Sequence, residues 1–112
     1  MKLTLNETLR EQMRCNLAAI KPALVETTQL RRASVAATVI NAEGNDEAAF
    51  VLTRRSSRLR RHGGQWALPG GRIDDNESAR QACLRELSEE VGITLGEDAI
   101  LGQMDDLSLI HI

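Results

Sequence analysis

Glu86, Glu89 and Glu90 stand at positions i, i+3 and i+4, a spacing that sets three carboxylates along one face of a helix. Like charges this close repel by roughly 0.2–0.5 kcal/mol per i,i+4 pair. Such a face is either a solvated acidic surface or a set of oxygen ligands for hard divalent cations. Three glutamates alone favour the solvated surface. Their surroundings shift the balance: a glycine turn at Gly70 and Gly71, an acidic loop from Asp74 to Glu77, Arg85 directly before Glu86, and Gly92 just after the last glutamate.

Gly71, Glu77, Arg85, Glu86, Leu87, Glu89, Glu90, Gly92 and Ile93 fit the pattern Gly-x5-Glu-x7-Arg-Glu-Leu-x-Glu-Glu-x-Gly-Ile without a gap. In this the chain resembles the Nudix hydrolases. The resemblance implies an α+β fold, a Nudix-type α/β/α sandwich with a mixed sheet. It also implies hydrolysis of a nucleoside diphosphate linked to another group, with Mg2+ or Mn2+ as cofactor. By the same resemblance Glu86, Glu89 and Glu90 are the metal ligands, and with Arg85 they make the catalytic set. Arg85 is expected to orient a glutamate through a bidentate ion pair. Glu77 is either a further ligand or a structural partner at the helix start. Gly71 is expected to supply backbone geometry, and Gly92 to end the helix.

The segment upstream narrows the substrate. Val51, Leu52, Thr53, Arg55, Ser56, Arg60, Gly64 and Leu68 to Gly71 resemble the signature of the coenzyme A pyrophosphatase branch, Leu-Leu-Thr-x-Arg-Ser-x3-Arg-x3-Gly-x3-Phe-Pro-Gly-Gly. Val51 replaces a leucine and Leu68 a phenylalanine; Trp66, two residues before Leu68, compensates in part for the lost aromatic. Coenzyme A carries a 3′-phosphate beside its pyrophosphate, and arginines suit both. Arg55, Arg60, Gly70 and Gly71 are therefore the expected substrate-binding positions. Arg58 and Arg61 are equally well explained as a solvated loop. Three alternatives stand beside this reading: a Nudix hydrolase of ADP-ribose, NADH or an oxidised nucleotide, a ligand-binding module without turnover, and an inactive fragment.

These residues need elements to carry them. Leu9, Met13, Leu17 and Ile20 recur at helical spacing, so a helix is expected from Asn6 to Ile20, stopped by Lys21 and Pro22. It is expected to pack on the domain or on the partner subunit of a homodimer. Ala33–Ala42 and Ala48–Arg54 read as two strands of a hairpin about the polar turn 41–46. A short strand over Gln65–Leu68 leads into the glycines, which are expected to turn the chain sharply. Asp74, Asp75 or Asn76 is expected to cap a helix from Glu77 to Val91, with an apolar stripe of Ala79, Cys83, Leu87 and Val91. Ile93–Leu95 and Ile100–Met104 read as strands.

The 112 residues suffice for one domain, and 42% hydrophobic with 27% charged residues is an ordinary globular composition. A net charge of −2 points to neither nucleic acid nor an anionic membrane. Twelve of the fourteen basic residues are arginine, concentrated around 54–61. Cys15 and Cys83 have no CxxC spacing, which suits reduced thiols and a cytoplasmic protein; Cys83 reads as a small core residue. The expected organisation is an N-terminal helix and connector over 1–30, a partial Nudix domain over 31–106, and a non-native tail over 107–112. That tail, Leu107 to Ile112, resembles a translated sequencing adapter, so the domain is expected to be incomplete at its C-terminus. The expected partner is a small nucleotide such as coenzyme A, not nucleic acid or a membrane.

Overall fold

Three extended segments, 33–41, 48–54 and 66–72, each pair with both of the others in a computed structural model that describes residues 3–24, 31–54 and 64–105. β1 (Ala33–Val35) runs antiparallel to β6 (Gly70–Arg72), with Ser34 opposite Gly71. β2 (Val39–Asn41) pairs with β3 (Ala48–Phe50), and β4 (Thr53–Arg54) with β5 (Trp66–Ala67). The two long strands expected from the sequence are thus each divided, because each changes partner midway. Hydrogen bonds from Ala36 N to Pro69 O (2.8 Å) and from Val51 N to Thr38 O (3.0 Å) carry the pairing through the breaks. The β2–β3 hairpin is the one the sequence announces. All three ladders are antiparallel; a parallel pair, which would make the sheet mixed, is not among the described residues.

Side chains alternate across these strands as the pleat requires. On one side α2 (Ala79–Val91) lies against β1 and β6. Pro69, Ala82 and Leu87 are fully buried there and form the centre of the core. On the other side Val35, Phe50, Leu52 and Trp66 are each more than half exposed. The class is mixed α and β, with two helices and several antiparallel strands, as expected.

α2 starts two residues later than the sequence suggests. Its N-cap is Ser78, whose side chain accepts from Gln81 N while Gln81 returns a bond to Ser78 N, a capping box. Asn76 does not cap; it takes a left-handed conformation, φ 65°, in the preceding turn. The buried stripe includes Ala82 with Leu87, whereas Cys83 is only half-buried. Gly92 ends the helix at φ 72°, and its N–H donates to Ser88 O.

α1 (Glu7–Ala18) is capped by Asn6, whose side chain accepts from Leu9 N, and has no fully buried residue. Ile93–Leu95 and Ile100–Met104 are not strands: the chain instead makes one 3-10 turn, Glu97–Ala99, and runs on without a ladder partner among the described residues. No helix among those residues is long and apolar enough to cross a membrane. The expected tail, 107–112, lies outside the described residues.

Candidate active site

The centre of the site is Arg85, in the middle of α2. Its guanidinium grips Glu77 with Nε donating to Oε2 at 2.8 Å and Nη2 to Oε1 at 3.0 Å. Nη2 also donates to the Arg72 carbonyl at 3.0 Å, and Asp74 Oδ2 lies 3.4 Å away. The remaining nitrogen, Nη1, donates to Glu86 Oε1 at 3.0 Å and to Glu89 Oε2 at 3.2 Å. One planar fork therefore ties the end of β6, the loop after it and two of the glutamates together, a task for arginine and not for lysine.

Both oxygens of Glu77 are engaged, since Oε1 also accepts from Asp74 N at 3.0 Å. Its carboxyl is held below the ordinary range chiefly by the hydrogen bonds from Arg85, then by the Asp74 amide, against a smaller opposing effect of burial. Arg85 is correspondingly pushed further into its charged form, first by Glu77.

Gly70 and Gly71 do not make the sharp turn expected of them; both lie inside β6. What requires glycine is close approach. A side chain at Gly70 would run into the backbone of Ser34 and Val35, and one at Gly71 would stand 2.6 Å from the carboxyl carbon of Glu86. Glu86 is thereby held against the strand, its side chain 18% exposed, while Glu89, one turn on, is 60% exposed. Glu90 is exposed as well.

Among the described residues, no three His, Cys, Asp or Glu side chains converge as a ready-made metal cage. Glu86 and Glu89 nevertheless meet at one donor, Nη1 of Arg85, through one oxygen each. The other oxygen of each is not part of that contact, and an all-carboxylate set suits a hard divalent cation. Arg55 and Arg60 lie outside the described residues. Asp74 was expected as a helix cap and not as a neighbour of Arg85, and nothing in the sequence marks the Arg72 carbonyl. The Ser78–Gln81 cap was missed in favour of Asp74 to Asn76, although Ser-x-x-Gln before an apolar run is a capping-box signature that could have announced it.

Residues 30–108 match the family model for the NUDIX domain, which covers more than half of the chain. The chain belongs to the Nudix family. It is 35% identical over 100 residues to Nudix hydrolase 3 of Caenorhabditis elegans, covering 85% of this chain and 41% of that protein. It is 45% identical over 62 residues to the uncharacterized Nudix hydrolase NudL of Yersinia enterocolitica, covering 54% of this chain and 32% of that one. The chain therefore spans well under half the length of these curated relatives. Among solved structures, a MutT protein from Methanosarcina mazei Go1 aligns at a TM-score of 0.46 and 32% identity, over 68% of this chain and 47% of that one. A MutT/nudix family protein from Enterococcus faecalis aligns at 0.49 and 22% identity, over 83% and 37%. Nudix enzymes in general act on small nucleotide substrates and use divalent metal ions.

Proposed function

We propose that the protein of which this chain is part is a metal-dependent Nudix pyrophosphohydrolase whose substrate is coenzyme A or an acyl-CoA. Water would add to one phosphorus of the pyrophosphate and the bridging P–O bond would break. The products are adenosine 3′,5′-bisphosphate and 4′-phosphopantetheine, or its acylated form. The observation that carries the chemistry is the shared grip of Arg85 on Glu77, Glu86 and Glu89. The substrate reading rests on the sequence pattern from Val51 to Gly71.

In this reading Glu86, Glu89 and Glu90 hold Mg2+ or Mn2+, which when bound neutralises phosphate oxygens and acidifies a water. Arg85 does not touch the substrate. It fixes the orientation of Glu86 and Glu89, with Glu77 and the Arg72 carbonyl bracing it from the other side. Gly71 leaves the space in which the Glu86 carboxylate sits. Arg55 and Arg60 supply positive charge for the phosphates.

A substrate panel on the intact protein with Mg2+ and Mn2+ tests the assignment. Coenzyme A should be cleaved faster than ADP-ribose, NADH and oxidised nucleotides; equal or slower cleavage removes the coenzyme A reading and leaves the wider Nudix one. Glu89→Gln should abolish turnover on every substrate, and unchanged rates would refute the metal assignment.

A further inference from the structure

The family match begins at residue 30, yet the residues before it are fastened to the domain at two separate places. At one end Leu5 N donates to Asp46 O at 2.7 Å and Ala48 N donates to Leu3 O at 2.6 Å, so that Thr4 bridges Glu47 on the rim of the β2–β3 hairpin. At the other end Leu17 packs so closely on Gly102 that a side chain added there would stand 2.5 Å from Leu17 Cβ. Near the start of the helix Arg10 Nη2 donates to Asp98 O at 3.4 Å, and beyond its end Ala23 N donates to Asp105 Oδ1 at 2.8 Å. Between the two ends runs α1, a rod of about 18 Å at 1.5 Å per residue.

A twelve-residue helix with no buried residue is marginal by itself. Its anchors therefore stabilise it, and by the same contacts it restrains what it is anchored to. The restrained segment, 96–105, follows α2 after the short link 92–95. Gly92 caps that helix two residues after Glu90, and Ser88 Oγ and Thr94 Oγ1 share a hydrogen bond at 3.2 Å. The 3-10 turn packs on α2 as well. No described residue from 100 to 105 lies in a strand ladder; the contacts from α1 and Ala23 take the place of one.

We propose that residues 3–24 are a strap that pins the segment after α2, and with it the end of the helix that carries Glu89 and Glu90. This holds whatever the substrate is. Amide hydrogen exchange on the full chain and on Leu17→Ala reads it directly. The Ala99 and Ile100 amides, which bond within the 3-10 turn and not to α1, should exchange several-fold faster in the variant. The Ala82 and Leu87 amides should keep their protection. Arg10→Ala, which removes only an exposed contact, should show the same pattern more weakly. Faster exchange confined to residues 7–18 in both variants, with Ala99 and Ile100 unchanged, overturns the strap.

Discussion

Arg85 and Glu77 meet as a two-point pair, Nε to Oε2 and Nη2 to Oε1, across eight positions of the chain. The pair fastens the loop after β6 to the middle of α2, and the same guanidinium then reaches Glu86 and Glu89. An ammonium is a point charge and cannot hold this arrangement. On the proposed function, Arg85→Lys should lower the thermal midpoint and reduce turnover by roughly 10–100-fold, the usual scale for a residue that would orient metal ligands. Differential scanning calorimetry and steady-state kinetics check both effects.

Gly71→Ala sets a methyl group against the Glu86 carboxylate. The carboxylate is the end of a flexible side chain and can swing away, so the variant should fold. Its turnover should fall on the order of 100-fold, as expected when a reacting constellation is misplaced by about 1 Å. Gly70→Ala meets the backbone of Ser34 and Val35 instead, and should damage the β1–β6 ladder before it affects chemistry. Circular dichroism melts of the two variants, set beside their rates, separate the cases.

Glu77 gives the fold an acid dependence of definite sign. Its carboxyl is held below the ordinary range, mainly by Arg85. A group with a lowered folded-state pKa contributes stability above the unfolded value, and that contribution disappears as pH falls through the folded value. Urea midpoints should therefore drop as pH falls below the ordinary glutamate value of about 4.3. Glu77→Gln should be less stable at neutral pH and flatter across that range.

Ser78→Ala removes one half of the capping box and should cost about 1 kcal/mol of stability. Urea denaturation followed at 222 nm reads the loss.

The two thiols should differ in reactivity. Cys15 is exposed, whereas Cys83 is half-buried with its thiol pushed up by burial. Maleimide at neutral pH should label Cys15 first, and peptide mapping by mass spectrometry reports the order.

That Arg85, Glu77, Glu86 and Glu89 would meet was legible because they are close in sequence and carry helix chemistry. Arg85, Glu86 and Glu89 fall within neighbouring turns of α2, Glu77 lies in the loop just before it, and Gly92 announces the helix end. What the pattern could not convey was partnership across space. Nothing local says that Gly70 and Gly71 serve contacts with Ser34, Val35 and Glu86 and not a turn. Ile100–Met104 is a short, largely apolar run that reads as a strand, but such a run makes a ladder only where a neighbouring strand supplies bonds. The division of 33–41 and 48–54 likewise follows from which segment each half faces, a tertiary fact.

The circular pairing of 33–41, 48–54 and 66–72 has a consequence for how the chain finds its alignment. In a lone hairpin a strand can slide by two residues and keep its faces. Here a slide of any one segment would misalign two ladders at once, and correcting the second would misalign the third. A wrong alignment must therefore be wrong everywhere to be self-consistent, so the ring acts as its own proofreader.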